Sequence, residues 1–128
     1  MEKTILSMVS QTVCPTKWVI VNDGSTDETP DIIDRYVASF DWIERFDMPS
    51  HLDRSFAAKA HCFNAACEIA SWRAYEIVGN IDADITFEPD FLEFLMRKLA
   101  EDPTLGVAGT PFLEADGYDS TTDSFEGE

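Results

Sequence analysis

The sequence predicts an α/β domain built around a mostly parallel sheet. Three observations favour this fold class. Helical apolar patterns alternate along the chain with short β-rich runs. The length of 128 residues suits one domain, and 45% hydrophobic residues suffice for a core. Dense polar clusters follow two of the β-rich runs directly, as in sheets that bind ligands beyond the carboxyl ends of their strands.

The first half of the chain predicts two helices and two strands. A helical apolar stripe over 2–12 indicates the first helix, and the run KWVIV at 17–21 indicates a buried strand. The turn formers NDGSTDETP follow at 22–30, and their closing Thr-Pro pair favours the start of a helix through 31–40. DWIERF at 41–46 then predicts a short edge strand.

The second half repeats this alternation. The alanine-rich segment 57–72 predicts a helix, and YEIVGNI at 75–81 predicts the second strong strand. A further helix is expected over 89–100, and LGVAGTPF at 105–112 predicts another short strand. The acidic, non-periodic stretch 113–128 is expected to be a loop or tail.

The charge balance restricts the partners. The formal net charge is −16, from 25 acidic against 9 basic residues. Nucleic acid is excluded as a partner, because its phosphates would be repelled. A small anionic ligand remains compatible with this charge if a cation bridges it to the protein.

Cysteine usage and hydropathy indicate the compartment. The sequence has three cysteines, Cys14, Cys62 and Cys67, an odd number without a CxxC motif. We therefore expect them to be small buried side chains of a protein in a reducing compartment. The sequence has neither a signal peptide nor an apolar run near the roughly 20 residues that span a bilayer. We therefore expect a cytoplasmic location, with any membrane association made through segments outside residues 1–128.

The polar cluster NIDAD contains two carboxylates, Asp82 and Asp84, with no Lys or Arg beside them in sequence. If the chain is still extended here, both side chains point to the same side, because the strand period is two. Carboxylate oxygens suit a hard divalent cation such as Mg²⁺ or Mn²⁺. A metal site that holds a diphosphate and a solvated turn both remain open as interpretations.

The other cluster begins with Asn22, Asp23 and Gly24. Their side chains can bond the edge of a nucleobase or ribose, or form an Asx-turn that leads into the next helix. Because the clusters 22–27 and 80–84 each follow a predicted strand, we expect them to lie at the same edge of one sheet.

Together these segments resemble glycosyltransferase family 2, which has the Rossmann-like GT-A fold. The resemblance rests on WVIVNDGSTDETPDII, KAHCFNAA, YEIVGNIDADITFEPDFLEFLM and DPTLGVAG in that order, and covers residues 1–114. It implies a nucleotide-diphospho-sugar donor, most simply a UDP-sugar, and a role in polysaccharide biosynthesis. It also implies a metal-dependent, usually inverting, transfer to a hydroxyl of an acceptor glycan or lipid.

The resemblance also assigns roles to individual residues. Asp23 matches the aspartate that contacts the base, and Lys59 matches a basic position near the nucleotide. Asp82 matches the first acid of the DXD motif, near ribose and metal, and Asp84 matches the second, the direct metal ligand. Asn64 matches the residue that orders its helix. The family has glycines around this lysine and asparagine, whereas this chain has alanines.

Two parts of the family pattern find no match. Its first strand would precede Met1 and lie between the strands at 17–21 and 75–81. Its acceptor half, with the catalytic base, would follow Glu128. His51 and His61 lie in no matched motif, so no catalytic residue is assigned.

We therefore expect a partial donor-binding domain over 1–114, and over 115–128 an acidic loop or tail that leads to the acceptor region. The alternatives are a catalytically silent nucleotide-binding or interaction domain and a nucleotidyltransferase-like domain. A basic, glycine-rich phosphate loop would favour the nucleotidyltransferase-like domain, and the sequence shows none.

Overall fold

A computed structural model describes residues 1–49 and 56–111, without the side chains of residues 56 and 57. Helices and strands alternate through its first half, as the sequence predicts. The elements are, in chain order, α1 (Glu2–Val9), β1 (Trp18–Asn22), α2 (Thr29–Val37), β2 (Ile43–Asp47), α3 (Phe56–Ala70), a 3₁₀ turn (Trp72–Ala74) and α4 (Phe91–Glu101).

The sheet consists of β1 and β2, which run parallel and are joined by α2. Their register pairs Trp18 with Ile43 and Asn22 with Asp47. The backbone N–H of Met48 donates to the carbonyl of Asn22 at 2.9 Å, so the ladder extends one residue past the carboxyl end of β2. The α/β fold class and the short strand predicted at 41–46 are thereby confirmed.

Four isoleucines form the centre of the core. Ile5, Ile20, Ile33 and Ile43 come from α1, β1, α2 and β2 respectively, and none is more than 5% exposed. Half-buried side chains surround them, among them the stacked rings of Trp18 and Trp42, 6.5 Å apart. Because each of the first four elements contributes one buried isoleucine, these elements pack as one unit.

Helix α3 packs against β1 through a face of small side chains. The residues expected to face the sheet are all half-buried: Ala58, Cys62, Ala65, Ala66 and Ile69. At its far end, the ammonium of Lys17 donates to the carbonyl of Ile69 at 3.5 Å. Small residues at this interface allow the helix backbone to approach the strand closely.

The strands predicted at 75–81 and 105–112 are corrected by the structure. Residues 75–81 and 105–111 form no strand, and residue 112 lies outside the described residues. Ile77 and Val78 are 50% and 46% exposed, and Val107 is 87% exposed. An apolar run becomes a strand only where a neighbour completes its hydrogen-bond ladder, and among the described strands none pairs with either segment.

Within the described residues, no helix is both long and apolar enough to cross a membrane. The expected acidic loop or tail at 115–128 lies outside the described part of the chain, as does His51. The structure therefore does not test the proposed boundary at residue 114.

The four-isoleucine core predicts a clear contrast between neighbouring positions of α1. Ile5→Ala should lower the free energy of unfolding by about 2–5 kcal/mol, because it leaves a cavity at a fully buried site. Leu6→Ala is the matched control, since Leu6 is 48% exposed on the same helix and should lose less than about 1 kcal/mol. Urea denaturation followed by circular dichroism measures both. Equal losses would contradict the placement of α1 over the core.

Candidate functional site

The turn after β1 is held by the side chain of Asn22, which is only 7% exposed. Its amide nitrogen donates to Asp47 Oδ1 at 2.7 Å, and its amide oxygen accepts the backbone N–H of Ser25 at 3.1 Å. Gly24 has a φ of 73°, a left-handed conformation that glycine adopts without strain. Asn22 thus has the structural role of an Asx-turn, and the exposed Asp23 follows it in that turn.

Asp23 lies against α3 through Cys62. Burial raises the pKa of the Cys62 thiol, and the negative charge of Asp23 and a hydrogen bond to its carboxylate raise it further. The thiol, as the protonated group, donates to that carboxylate. The sequence predicts for Cys62 only a small buried side chain, and gives no signal of this contact because the two residues are distant along the chain.

The same face of α3 also reaches Asp82. Lys59 lies one helical turn before Cys62, and its Nζ is 3.6 Å from Asp82 Oδ1. Both side chains are largely exposed, at 74% and 62%, so this ion pair is weak and opens easily. Although no basic residue is near Asp82 in sequence, the fold supplies one.

Helix α3 therefore joins the two acidic loops. Through Cys62 and Lys59 it contacts Asp23 on one loop and Asp82 on the other. The sequence predicts three substrate-binding residues, Asp23, Lys59 and Asp82. They thus lie along one face of a single helix, at the carboxyl end of β1.

Ala83 and Asp84 form a turn that directly follows Asp82. The extended geometry considered for residues 82–84 is therefore wrong, and the expectation that both carboxylates point to one side no longer follows. Both side chains are exposed. Within the part of the chain that the structure describes, no group of three or more His, Cys, Asp or Glu residues gathers as a metal site. Two carboxylates suit a hard cation that takes its remaining ligands from water and phosphate.

Helix α1 holds the loop that carries these acids. The hydroxyl of Thr4, a residue 1% exposed, donates to the carbonyl of Ala83 at 2.8 Å. Further along, the amide nitrogen of Gln11 donates to the carbonyl of Glu88 at 2.7 Å, and its oxygen accepts the N–H of Leu92 at 2.9 Å. Sequence reasoning missed both contacts. The sequence signal that could have indicated these contacts was the position of two polar residues, Thr4 and Gln11, on an otherwise apolar helical stripe.

The two histidines of the chain are assigned no role at this edge. His61 is exposed on α3, and His51 lies outside the described residues. No described residue at this edge is assigned as the catalytic base. The edge is acidic, because the described residues assigned to it are three carboxylates, Asp23, Asp82 and Asp84, and one ammonium, Lys59. An anionic ligand would therefore need a cation to bind here.

Comparison with known proteins gives a family and several relatives. The family model described as "Glycosyl transferase family 2" matches residues 1–124. Chondroitin synthase and hyaluronan synthase of Pasteurella multocida are each 29% identical over 109 residues, covering 85% of this chain but 10% of those proteins. The putative glycosyltransferase EpsH of Bacillus subtilis is 32% identical over 101 residues, covering 79% of this chain and 27% of that protein. The chain thus spans a small part of the length of these relatives.

The Cys62–Asp23 contact predicts an unusual thiol titration. In a Cys14→Ser/Cys67→Ser variant, the pH midpoint for alkylation of Cys62 by iodoacetamide should lie above that of an ordinary thiol. Adding Asp23→Asn should lower the midpoint, because removal of a negative charge favours the thiolate. Asp41→Asn is the control, since Asp41 precedes β2 at the opposite edge of the sheet. An unchanged midpoint in Asp23→Asn would show that the contact is absent.

Proposed function

Because the chain belongs to glycosyltransferase family 2, we propose that it binds a nucleotide-diphospho-sugar donor at the carboxyl edge of the β1–β2 sheet. The observation that carries this proposal is the contact of α3 with both acidic loops, through Cys62 and Asp23 and through Lys59 and Asp82. One helix face thereby spans two groups with different chemistry. The carboxylate proposed to bind the nucleobase lies at one end of this face, and the DXD loop proposed to bind the diphosphate lies at the other end.

Asp23 is proposed to accept a hydrogen bond from an N–H of the base, for which a uracil-type ring offers a suitable donor. The turn that presents it is fixed by the buried side chain of Asn22. Asp23 is thus held in place before the nucleotide arrives, and little conformational entropy is lost on binding. The Cys62 thiol donates to the carboxylate of Asp23, and a carboxylate can accept several hydrogen bonds, one of which is proposed to come from the nucleobase.

Asp82 and Asp84 are proposed to hold Mg²⁺ or Mn²⁺, with Asp84 as the direct ligand and Asp82 near both ribose and metal. Bound there, the ion would neutralise the charge that develops on the leaving diphosphate. Two exposed carboxylates separated by one residue support a site that shares its cation with the donor, because Mg²⁺ is usually bound by one or two carboxylates together with substrate phosphates.

Lys59 is proposed to exchange partners when the donor binds. In the ligand-free chain it lies 3.6 Å from Asp82 and offsets part of the negative charge of the loop. Its high exposure means that the ammonium is easily released from this pair. Once a cation occupies the DXD loop, Lys59 is available to phosphate oxygens instead.

The reaction proposed for the whole protein is transfer of a sugar from a UDP-sugar to a hydroxyl of an acceptor glycan or lipid. Two relatives are named chondroitin synthase and hyaluronan synthase, which supports a role in polysaccharide biosynthesis. The residues at the edge described here bind and orient the donor, and none of them is assigned as the base that activates the acceptor. Residues 1–128 are accordingly proposed to be the donor-binding part.

The central test is the metal dependence of nucleotide binding. Isothermal titration of the chain with UDP should give binding in Mn²⁺ and almost none in EDTA, because a −16 chain repels an anion without a bridging cation. Asp84→Ala should remove the Mn²⁺-dependent component, whereas Asp41→Ala, at the opposite edge of the sheet, should retain it. Equal UDP affinity in Mn²⁺ and in EDTA would contradict the proposal. A chain that binds UDP in neither condition would favour an interaction domain without nucleotide.

Asp23→Asn tests base recognition separately from the metal. The substitution replaces a charged acceptor with an amide and should weaken Mn²⁺-dependent UDP binding by about 1–3 kcal/mol. Inorganic diphosphate lacks a base, and its affinity should be unaffected. Unchanged UDP affinity in Asp23→Asn would mean that Asp23, like Asn22, serves only the turn.

A further inference from the structure

The loop that carries Asp82 and Asp84 has an unusual means of support. No described strand pairs with residues 75–90, so a sheet ladder does not fix this segment. Hydrogen bonds from α1 and from Gln11, just after the end of α1, contact it at two places instead, near Ala83 and near Glu88. The position of the two carboxylates therefore depends on a helix that belongs to the core.

Thr4 supplies the first attachment. Its hydroxyl donates to the carbonyl of Ala83 at 2.8 Å, which fixes the residue between the two acids. Thr4 is followed on α1 by Ile5, which is fully buried, and Met8 one turn later is 2% exposed. Because α1 is packed into the core on this face, Thr4 cannot follow the loop if the loop moves. The hydrogen bond thus attaches the loop at Ala83 to a helix that is itself held by the core.

Gln11 supplies the second attachment, just after the end of α1. One amide nitrogen donates to two carbonyls, those of Ser7 at 3.0 Å and Glu88 at 2.7 Å. The amide oxygen accepts the N–H of Leu92 in the first turn of α4 at 2.9 Å. With the side chain only 7% exposed, these bonds are shielded from water. The backbone N–H of Thr12 adds a bond to the carbonyl of Pro89 at 2.7 Å.

We propose that Thr4 and Gln11 are positioning residues for the DXD loop and set its affinity for a divalent cation with a diphosphate. Neither touches the cation or the nucleotide. They hold the backbone on either side of residues 84–87, so that Asp82 and Asp84 are arranged before the ligand arrives. A loop ordered in advance loses less entropy on binding, and residues that orient metal ligands commonly change metal affinity by about 10–100-fold.

The proposal rests on the proposed function for the identity of the ligand, but the attachment of the loop can be measured without one. Thr4→Val keeps the β-branched shape and removes the donor, whereas Thr4→Ser keeps the donor and removes a methyl group. Both are made in the full 128-residue chain. A role in packing alone would make Ser the more harmful change, and a role through the hydrogen bond would make Val the more harmful one.

The first readout is Mn²⁺-dependent UDP binding by isothermal titration. Thr4→Val should weaken it about tenfold, and Thr4→Ser should bind close to the unchanged protein. The second readout is the heteronuclear NOE of the Ala83 and Asp84 amides in the ligand-free chain. This value should fall in Thr4→Val, stay high in Thr4→Ser, and be unaffected in both variants over β1.

The outcomes separate the two proposals. If the unchanged chain does not bind Mn²⁺ and UDP, the proposed function fails, and the relaxation data alone decide whether Thr4 holds the loop. If the chain binds them and the two variants bind equally, or Ser is the weaker, the positioning role is overturned while the function stands. Should Thr4→Val fail to fold by circular dichroism, Gln11→Met tests the second attachment. Unchanged affinity in that folded variant would equally overturn the positioning role.

Discussion

The hydrogen bond from Thr4 to the carbonyl of Ala83 joins the core to the loop that carries the two carboxylates. On one side is the core of four isoleucines, in which α1, β1, α2 and β2 each bury one side chain. On the other is a largely exposed segment that no described strand supports. With Gln11 bonded to Glu88 and Leu92, α1 acts as the structural link between them. The geometry of the DXD loop depends on this link, because the loop has little buried apolar surface of its own.

Helix α3 completes the site from the opposite direction. Its small half-buried residues let it approach β1, and this approach brings Cys62 to Asp23 and Lys59 to Asp82. The two acidic loops, about sixty residues apart in sequence, thereby share one neighbour. The result is an edge with several carboxylates and one easily released ammonium. Such an arrangement disfavours a bare anion and favours an anion bound together with a cation, which is the chemistry proposed for the donor.

Much of this arrangement followed from local pattern. The alternation of helices with β-rich runs predicted α1, β1, α2, β2, α3 and α4, and the family 2 membership is confirmed. The strands predicted at 75–81 and 105–112 were wrong over the described residues, because an apolar run shows the propensity of a segment but not whether a partner strand is there to pair with it. The contacts of Thr4, Gln11 and Cys62 were missed for a related reason. Each joins residues distant in sequence, and a hydroxyl, amide or thiol on an apolar face does not identify its partner. The metal and base-binding roles of Asp84 and Asp23 remain predictions.

The claim that both acidic loops form one donor site is tested most directly by paramagnetic relaxation. Mn²⁺ with UDP, added to the ¹⁵N-labelled chain, should broaden the amide signals of Asp82, Ala83 and Asp84 most strongly. The signals of Asp23 and Gly24 and of the Cys62 turn of α3 should be broadened as well, while those of residues 38–42 at the opposite edge of the sheet keep their intensity. Two results would contradict a single site. One is broadening that is confined to the acidic residues after 114. The other is broadening of residues 82–84 that leaves residues 23 and 24 unaffected.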